Sequence, residues 1–218
     1  MNITRPLLIS AAIVLASAGL GIWAYGQLPE HARIAVHFGV NGQPNGFMGK
    51  GRGLALLPLI SAGVLALLAT LPLIARQKGL EASGRPYGLM MIGVTAVLFV
   101  SQAGLAARAL DPGVDVLRYV FASVGVLLVV LGNVLGKVRH NFMFGIRTPW
   151  TLMNETVWDK TNRFSGRLMF VGGIVLVATS LLVASHPFML GVLIAAAAGP
   201  AIAGAIYSWA IFPKAQPH

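Results

Sequence analysis

The chain has 218 residues, of which 56% are hydrophobic and 10% charged, with a mean hydropathy of +0.78 and a formal net charge of +10. Soluble domains carry roughly a quarter of their residues as charges, so this composition excludes a soluble globular protein and indicates one integral membrane bundle. The basic residues fall at the ends of apolar runs, where they orient helices and meet anionic headgroups, which argues against nucleic acid as a partner. With no cysteine, disulfides, thiolate catalysis and thiolate-held metals are also excluded.

A spanning helix needs about 20 apolar residues to cross roughly 30 Å of hydrocarbon. Charges cut the sequence into runs of that size: Pro6 to Pro29, Gly53 to Ala75, Pro86 to Ala107, Tyr119 to Gly136, and Leu168 to Pro213. In the first, Arg5 and the small residues Ala16-Ser17-Ala18 resemble a signal peptide, but the apolar pattern continues to Leu28 and an uncleaved first helix is expected.

The segment 29–52 that follows alternates at Ile34, Val36 and Phe38 and then carries the turn dipeptides Asn41-Gly42 and Asn45-Gly46, predicting a compact cap. Glu30, His31 and His37 lie in it. A strand would place the two imidazoles on one face, but a third ligand is missing, so no metal or other cofactor is expected.

The last run has 46 residues and would be about 69 Å long as one helix, roughly twice the hydrocarbon thickness. His186-Pro187 breaks it, because proline disfavours helix at the residue before it and removes its own donor, so Ser185 to Pro187 reads as a turn between two spans. The expected fold is all-α, a polytopic bundle of six transmembrane helices. If the N-terminus is cytoplasmic, inside segments hold eleven basic residues: Arg5, Arg76, Lys78, Arg85, Lys137, Arg139, Arg147, Lys160, Arg163, Arg167 and Lys214. Outside segments hold five, Arg33, Lys50, Arg52, Arg108 and Arg118, so both termini are expected in the cytoplasm.

Glycine and alanine are dense in the spans, as in Gly172-Gly173 and Ala195 to Gly199, and predict close helix packing. Trp23, Tyr25, Tyr87, Tyr119, Tyr207 and Trp209 lie near span ends and are expected to anchor at the interfaces. All six carboxylates, Glu30, Glu81, Asp111, Asp115, Glu155 and Asp159, fall outside the runs. Proton- and cation-coupled carriers keep acids at membrane depth, so this distribution weakens a transporter. Gln102 and Asn133 are amides within spans, with His186 at a turn.

The segment 137–167 gathers charge, amide and tryptophan. Pro149 suits the first turn of a helix that Thr148 caps, and Asn154 offers a second start. Beyond it Val157, Trp158, Thr161 and Phe164 share one helical side, Asp159 and Arg163 pair at i,i+4, and a short cytoplasmic interfacial helix is expected between the fourth and fifth spans. Arg147 carries a planar fork suited to carboxylate or phosphate. Asn133, in the fourth span, is expected to turn inward and tie this segment to the bundle through Asn141, Arg147 or exposed backbone.

Gly132-Asn133, Lys137, Arg139, Asn141, Gly145 to Leu152 (including Arg147, Thr148, Pro149 and Trp150), Val157-Trp158, Thr161, Arg163 and Gly166 resemble the signature of the SdpI family of bacterial membrane immunity proteins. Leu28-Pro29, His37-Phe38, Asn41-Gly42, Lys50 and Pro58 are similar to the module of unknown function that often precedes that signature. The resemblance implies two modules: residues 1–110 with an extracytoplasmic loop at 29–52, and residues 111–218 with the cytoplasmic loop at 137–167. It implies a multi-pass protein of the bacterial cytoplasmic membrane that is not an enzyme and that protects against, or senses, a secreted antimicrobial peptide. Its implied partners are the lipid bilayer, a toxin peptide on the outer side and a cytoplasmic regulator. A small transporter or lipid-handling protein is the alternative. An intramembrane enzyme would need convergent groups that His140, Asn141, Arg147 and Glu155 do not assemble.

Overall fold

The computed structural model describes residues 3–74 and 83–213. Arg76, Lys78, Glu81 and Lys214, which enter the charge and carboxylate arguments above, lie outside the described residues. In chain order the elements are α1 (Thr4–Gln27), β1 (Arg33–Phe38), β2 (Pro44–Gly49), α2 (Lys50–Ile74), α3 (Gly84–Leu110), α4 (Val116–Leu135), α5 (Pro149–Met153), α6 (Glu155–Leu182) and α7 (His186–Ile211). All the helices but α5 are long and apolar enough to cross a membrane, which gives the six expected spans and a multi-pass membrane protein. The break at Ser185 to Pro187 is present, with Ser185 as the residue before α7 and proline in its first turn.

Small residues set the packing. α4 and α6 run antiparallel and meet on two glycine pairs: a Cβ on Gly173 would lie 2.6 Å from the Gly125 carbonyl oxygen, and one on Gly166 2.7 Å from that of Gly132. The pairs are seven residues apart on each helix, two turns on one face, so only the missing side chains allow this approach. α1 and α3 run parallel, with Pro6 against Gly88 at one end and Gly21 against Gln102 at the other. α2 is antiparallel to both, since Gln102 Nε2 donates to the Leu54 carbonyl and the Tyr87 hydroxyl to that of Leu68. Tyr87 is therefore a core residue, 3% exposed, and not an interfacial anchor. Trp23, Tyr25, Tyr119 and Trp209 are exposed on the lipid-facing surface, as anchors require.

Six crossings give the bundle two ends. At one, β1 and β2 form an antiparallel hairpin whose Ile34, 1% exposed, inserts against Gly53 with Val36 and Phe38 packed beside it. Asn41-Gly42 makes the turn, with Gly42 at φ +79°. Asn45-Gly46 makes no second turn; it lies within β2, where Gly46 faces His37 at an irregularity in the ladder. The other end holds the starts of α1 and α3, the segment 136–154 and the end of α7.

The short helix expected between the fourth and fifth spans is α5, whereas the amphipathic stretch from Val157 to Phe164 forms no helix of its own. Glu155–Leu182 is one continuous helix of 28 residues, about 42 Å at 1.5 Å per residue and so longer than the hydrocarbon. Its first turns are the amphipathic stretch. Val157, Trp158 and Thr161 are fully buried against the preceding loop, not laid on lipid. An apolar stripe announces that something apolar covers it, and here the cover is protein.

Candidate functional site

The segment between α4 and α6 folds into a hydrogen-bonded plug that closes one end of the bundle. Its floor is Leu135, Val138 and Trp158, packed with Phe144, Ile146, Leu152 and Met169. Above this floor an irregular backbone must satisfy its polar groups without a ladder, and short polar side chains supply the partners. Asn141, 2% exposed, accepts from the backbone N–H groups of Met143 and Phe144 at 2.8 Å each and donates to the carbonyls of Arg139 (2.7 Å) and Phe144 (3.1 Å).

Two residues of α6 fasten the plug from below. Trp158 Nε1 donates to the Val138 carbonyl at 2.8 Å, and His140 meets the indole edge-on at 5.1 Å between centroids. Asn162 accepts from Ile146 N at 2.8 Å while donating to the Trp158 carbonyl at 3.0 Å. Between them passes Gly145, at φ +121°, where a Cβ would fall 2.9 Å from Asn162 Oδ1 and 3.0 Å from the indole. Both its conformation and the space demand glycine.

Thr148 caps α5 as expected. Its hydroxyl accepts from Thr151 N, Thr151 answers toward Thr148 N in a reciprocal capping box, and Pro149 fills the first helical position. The Thr148 hydroxyl also pairs with Ser208 on α7 at 2.9 Å, and Phe164 stacks on Tyr207, so the plug and α6 are bound to the last span. Asn154 caps α6 by accepting from Val157 N. Backbone around Arg139 is held by the Ser83 hydroxyl, which links the plug to α3.

Of the residues singled out in the sequence, Asn141, Gly145, Arg147, Thr148, Pro149, Trp150 and Trp158 belong to this plug. Arg147 is exposed and donates to the Phe142 carbonyl at 2.7 Å, so its contact is a backbone oxygen and not a carboxylate. Gly166 is the helix crossing, and Arg163 is an exposed residue 4.0 Å from Asp159. His37 and Asn41 are at the opposite end: His37 bonds the Asn45 amide, and Asn41 accepts from Gln43 N within the hairpin turn.

Asn133 is a correction. Its side chain is exposed beside the α4 and α6 crossing and bonds neither Asn141 nor Arg147, because the inward position of that turn belongs to Gly132. The tie it was expected to make is made by Asn162, which sequence reasoning passed over although it falls four residues after Trp158 on the same helical side.

At the hairpin end, His186 Nε2 lies 3.0 Å from Asp115 Oδ1, and Arg118 stands 3.7 Å from the same carboxylate while its backbone N–H caps α4 on it. Burial pushes the Asp115 carboxyl up, but the hydrogen bonds from His186 and Arg118 N and their charges outweigh it and hold the group below its ordinary value. The hairpin turn rests on this pair, since a Cβ on Gly42 would fall 2.6 Å from His186 Nδ1.

The plug, α5, α6 and α7 through Ser208 coincide with the match to the SdpI/YfhL protein family, which covers residues 137–208. Residues 12–62, most of α1 with the hairpin and the start of α2, match a domain of unknown function, DUF1648. The chain is 30% identical over 79 residues to the uncharacterized protein YfhL of Bacillus subtilis, covering 34% of this chain and 72% of that one. The chain belongs to the SdpI/YfhL family. It is also 27% identical over 173 residues to the immunity protein SdpI of the same organism, spanning 79% of this chain and 80% of the relative. No solved structure matches it significantly. The family match begins at Lys137 and so takes in the whole plug, whereas α3 and α4 lie in neither matched region.

Proposed function

We propose that this protein is a non-catalytic immunity or sensing protein of the bacterial cytoplasmic membrane, protecting its cell from a secreted antimicrobial peptide. The similarity to immunity protein SdpI, which spans 79% of this chain and 80% of that protein, carries the reading. The use of the signature residues supports it. Asn141, Thr148, Thr151, Trp158 and Asn162 direct their polar atoms mainly at backbone and at one another, work that builds a rigid surface and not a reaction centre. In this reading both termini and the plug face the cytoplasm, and the hairpin end faces the toxin. Arg147, with exposed Phe142 beside it, is the surface offered to a cytoplasmic regulator. The two modules, 1–110 and 111–218, divide this labour between outer capture and inner display.

The test is complementation. A Bacillus subtilis strain lacking SdpI, supplied with this chain, is grown beside its peptide-secreting parent. Survival restored by the chain supports the reading; expression at the membrane with no gain in survival rejects it for that peptide class.

A further inference from the structure

We infer that the groove beside the α4 and α6 crossing is a binding site for one anionic diacyl phospholipid. The glycine contacts that bring the helices together leave no side chains along their seam near the plug end, and a cavity of 730 Å³ opens there. Lys137, Arg163 and Arg167 line it, and Arg85 lines a smaller continuation of 200 Å³ that shares Asn133, Lys137 and Phe170 with it. No carboxylate is among the lining residues. Among the described residues Lys137, Arg167 and Arg85 form no ion pair, and Asp159 reaches Arg163 at 4.0 Å with both groups exposed.

Depth decides the kind of anion. α4 has 20 residues, about 30 Å, so its last residue, Leu135, coincides with the edge of the hydrocarbon. Lys137 then stands at phosphate level. The pairing of Gly132 with Gly166 and of Gly125 with Gly173 places Arg163 beside Gly136 and Arg167 about one turn farther in, within reach of the same level by extending its stem. Below them the walls are Phe170 and Val171, both exposed toward lipid. Asn133, with no hydrogen bond among the described residues, stands between the charged and the apolar parts, where a glycerol ester would lie. Cations above, an amide at mid-height and an apolar floor match an anionic phospholipid, headgroup and chain together. A free phosphate would use only the upper half. The inference does not depend on the immunity reading or on which leaflet the plug faces.

The full chain in detergent is titrated with phosphatidylglycerol, phosphatidylcholine and inorganic phosphate, and bound lipid is counted by native mass spectrometry. Phosphatidylglycerol should bind at one retained site, with phosphatidylcholine much weaker and phosphate unable to displace it. Lys137→Gln, Arg163→Gln and Arg167→Gln together should weaken the site on the order of a hundredfold, roughly fivefold per removed charge. A control triple of equal charge change away from the groove, Arg5→Gln, Arg33→Gln and Arg52→Gln, should leave it. Val171→Trp, an exposed position that folding tolerates, should weaken the lipid by filling the floor and serves if the triple variant fails to fold. Equal loss in the control triple, no preference for phosphatidylglycerol, displacement by phosphate, or an unaffected Val171→Trp would each overturn the inference.

Discussion

Trp158 Nε1 donates to the carbonyl of Val138 at 2.8 Å, joining α6 to the residue that opens the plug across 20 positions of sequence. The indole is fully buried, so this bond replaces water that neither group can reach. Trp158→Phe keeps an aromatic face for His140 but deletes the donor and part of the ring volume, leaving a buried carbonyl unpaired. The expected loss of stability in detergent is about 1–3 kcal/mol, measured by thermal unfolding, and Trp158→Ala should lose about 3–5 kcal/mol by adding a cavity. A Trp158→Phe protein as stable as the parent would mean that the ring acts by packing alone.

The two amides near the crossing should behave oppositely. Asn162→Leu strands the half-buried N–H of Ile146 and is expected to destabilise by about 1–3 kcal/mol and to speed protease cleavage at Arg147. Asn133→Leu, at an exposed groove position, should stay within about 0.5 kcal/mol of the parent and leave cleavage unchanged. Equal effects at the two positions would contradict the assignment of the tie to Asn162.

The contrast marks what the sequence discloses. The spans are written in composition and length, the break at His186-Pro187 in the chemistry of proline, and the starts of α5 and α6 in Thr148-Pro149 and Asn154, because each depends on neighbours a few residues away. The hairpin was legible from the alternation of Ile34, Val36 and Phe38, though not which of two Asn-Gly pairs turns the chain, since register depends on what the strands rest against. What covers an apolar stripe is not local. Val157, Trp158 and Thr161 read the same whether lipid or the plug lies over them, and the plug's fold hangs on contacts such as Asn162 to Ile146 that no periodicity reveals. The inward direction of Asn133 was inferred from the cost of an amide in lipid, and its place at the hydrocarbon edge removes that cost.

Topology can be tested with the cysteine-free background. Val40 at the hairpin and Met153 at the end of α5 are exposed, whereas Gly42 lies against His186 and would confound labelling. With Val40→Cys and Met153→Cys made singly, an impermeant thiol reagent on intact cells should label the first and spare the second. The reverse pattern would place the plug outside and invert the proposed orientation.

The Asp115 and His186 contact predicts how stability responds to acid. The folded carboxyl is held below its ordinary value of 3.8, so the folded state binds the proton more weakly than the unfolded chain does. A depressed carboxyl contributes stability that is fully present above the unfolded value and disappears as pH falls through the folded one. Its contribution should therefore be constant from neutral pH down to about pH 5 and decline from near 3.8 downward. Asp115→Asn keeps the shape, abolishes that acid limb and weakens the junction of α4, α7 and the hairpin. Its unfolding temperature should lie below the parent's at pH 7, and the gap should narrow as pH falls below 3.8. Parallel curves for the two proteins across this range would show that the carboxylate's charge does not contribute to holding this end together.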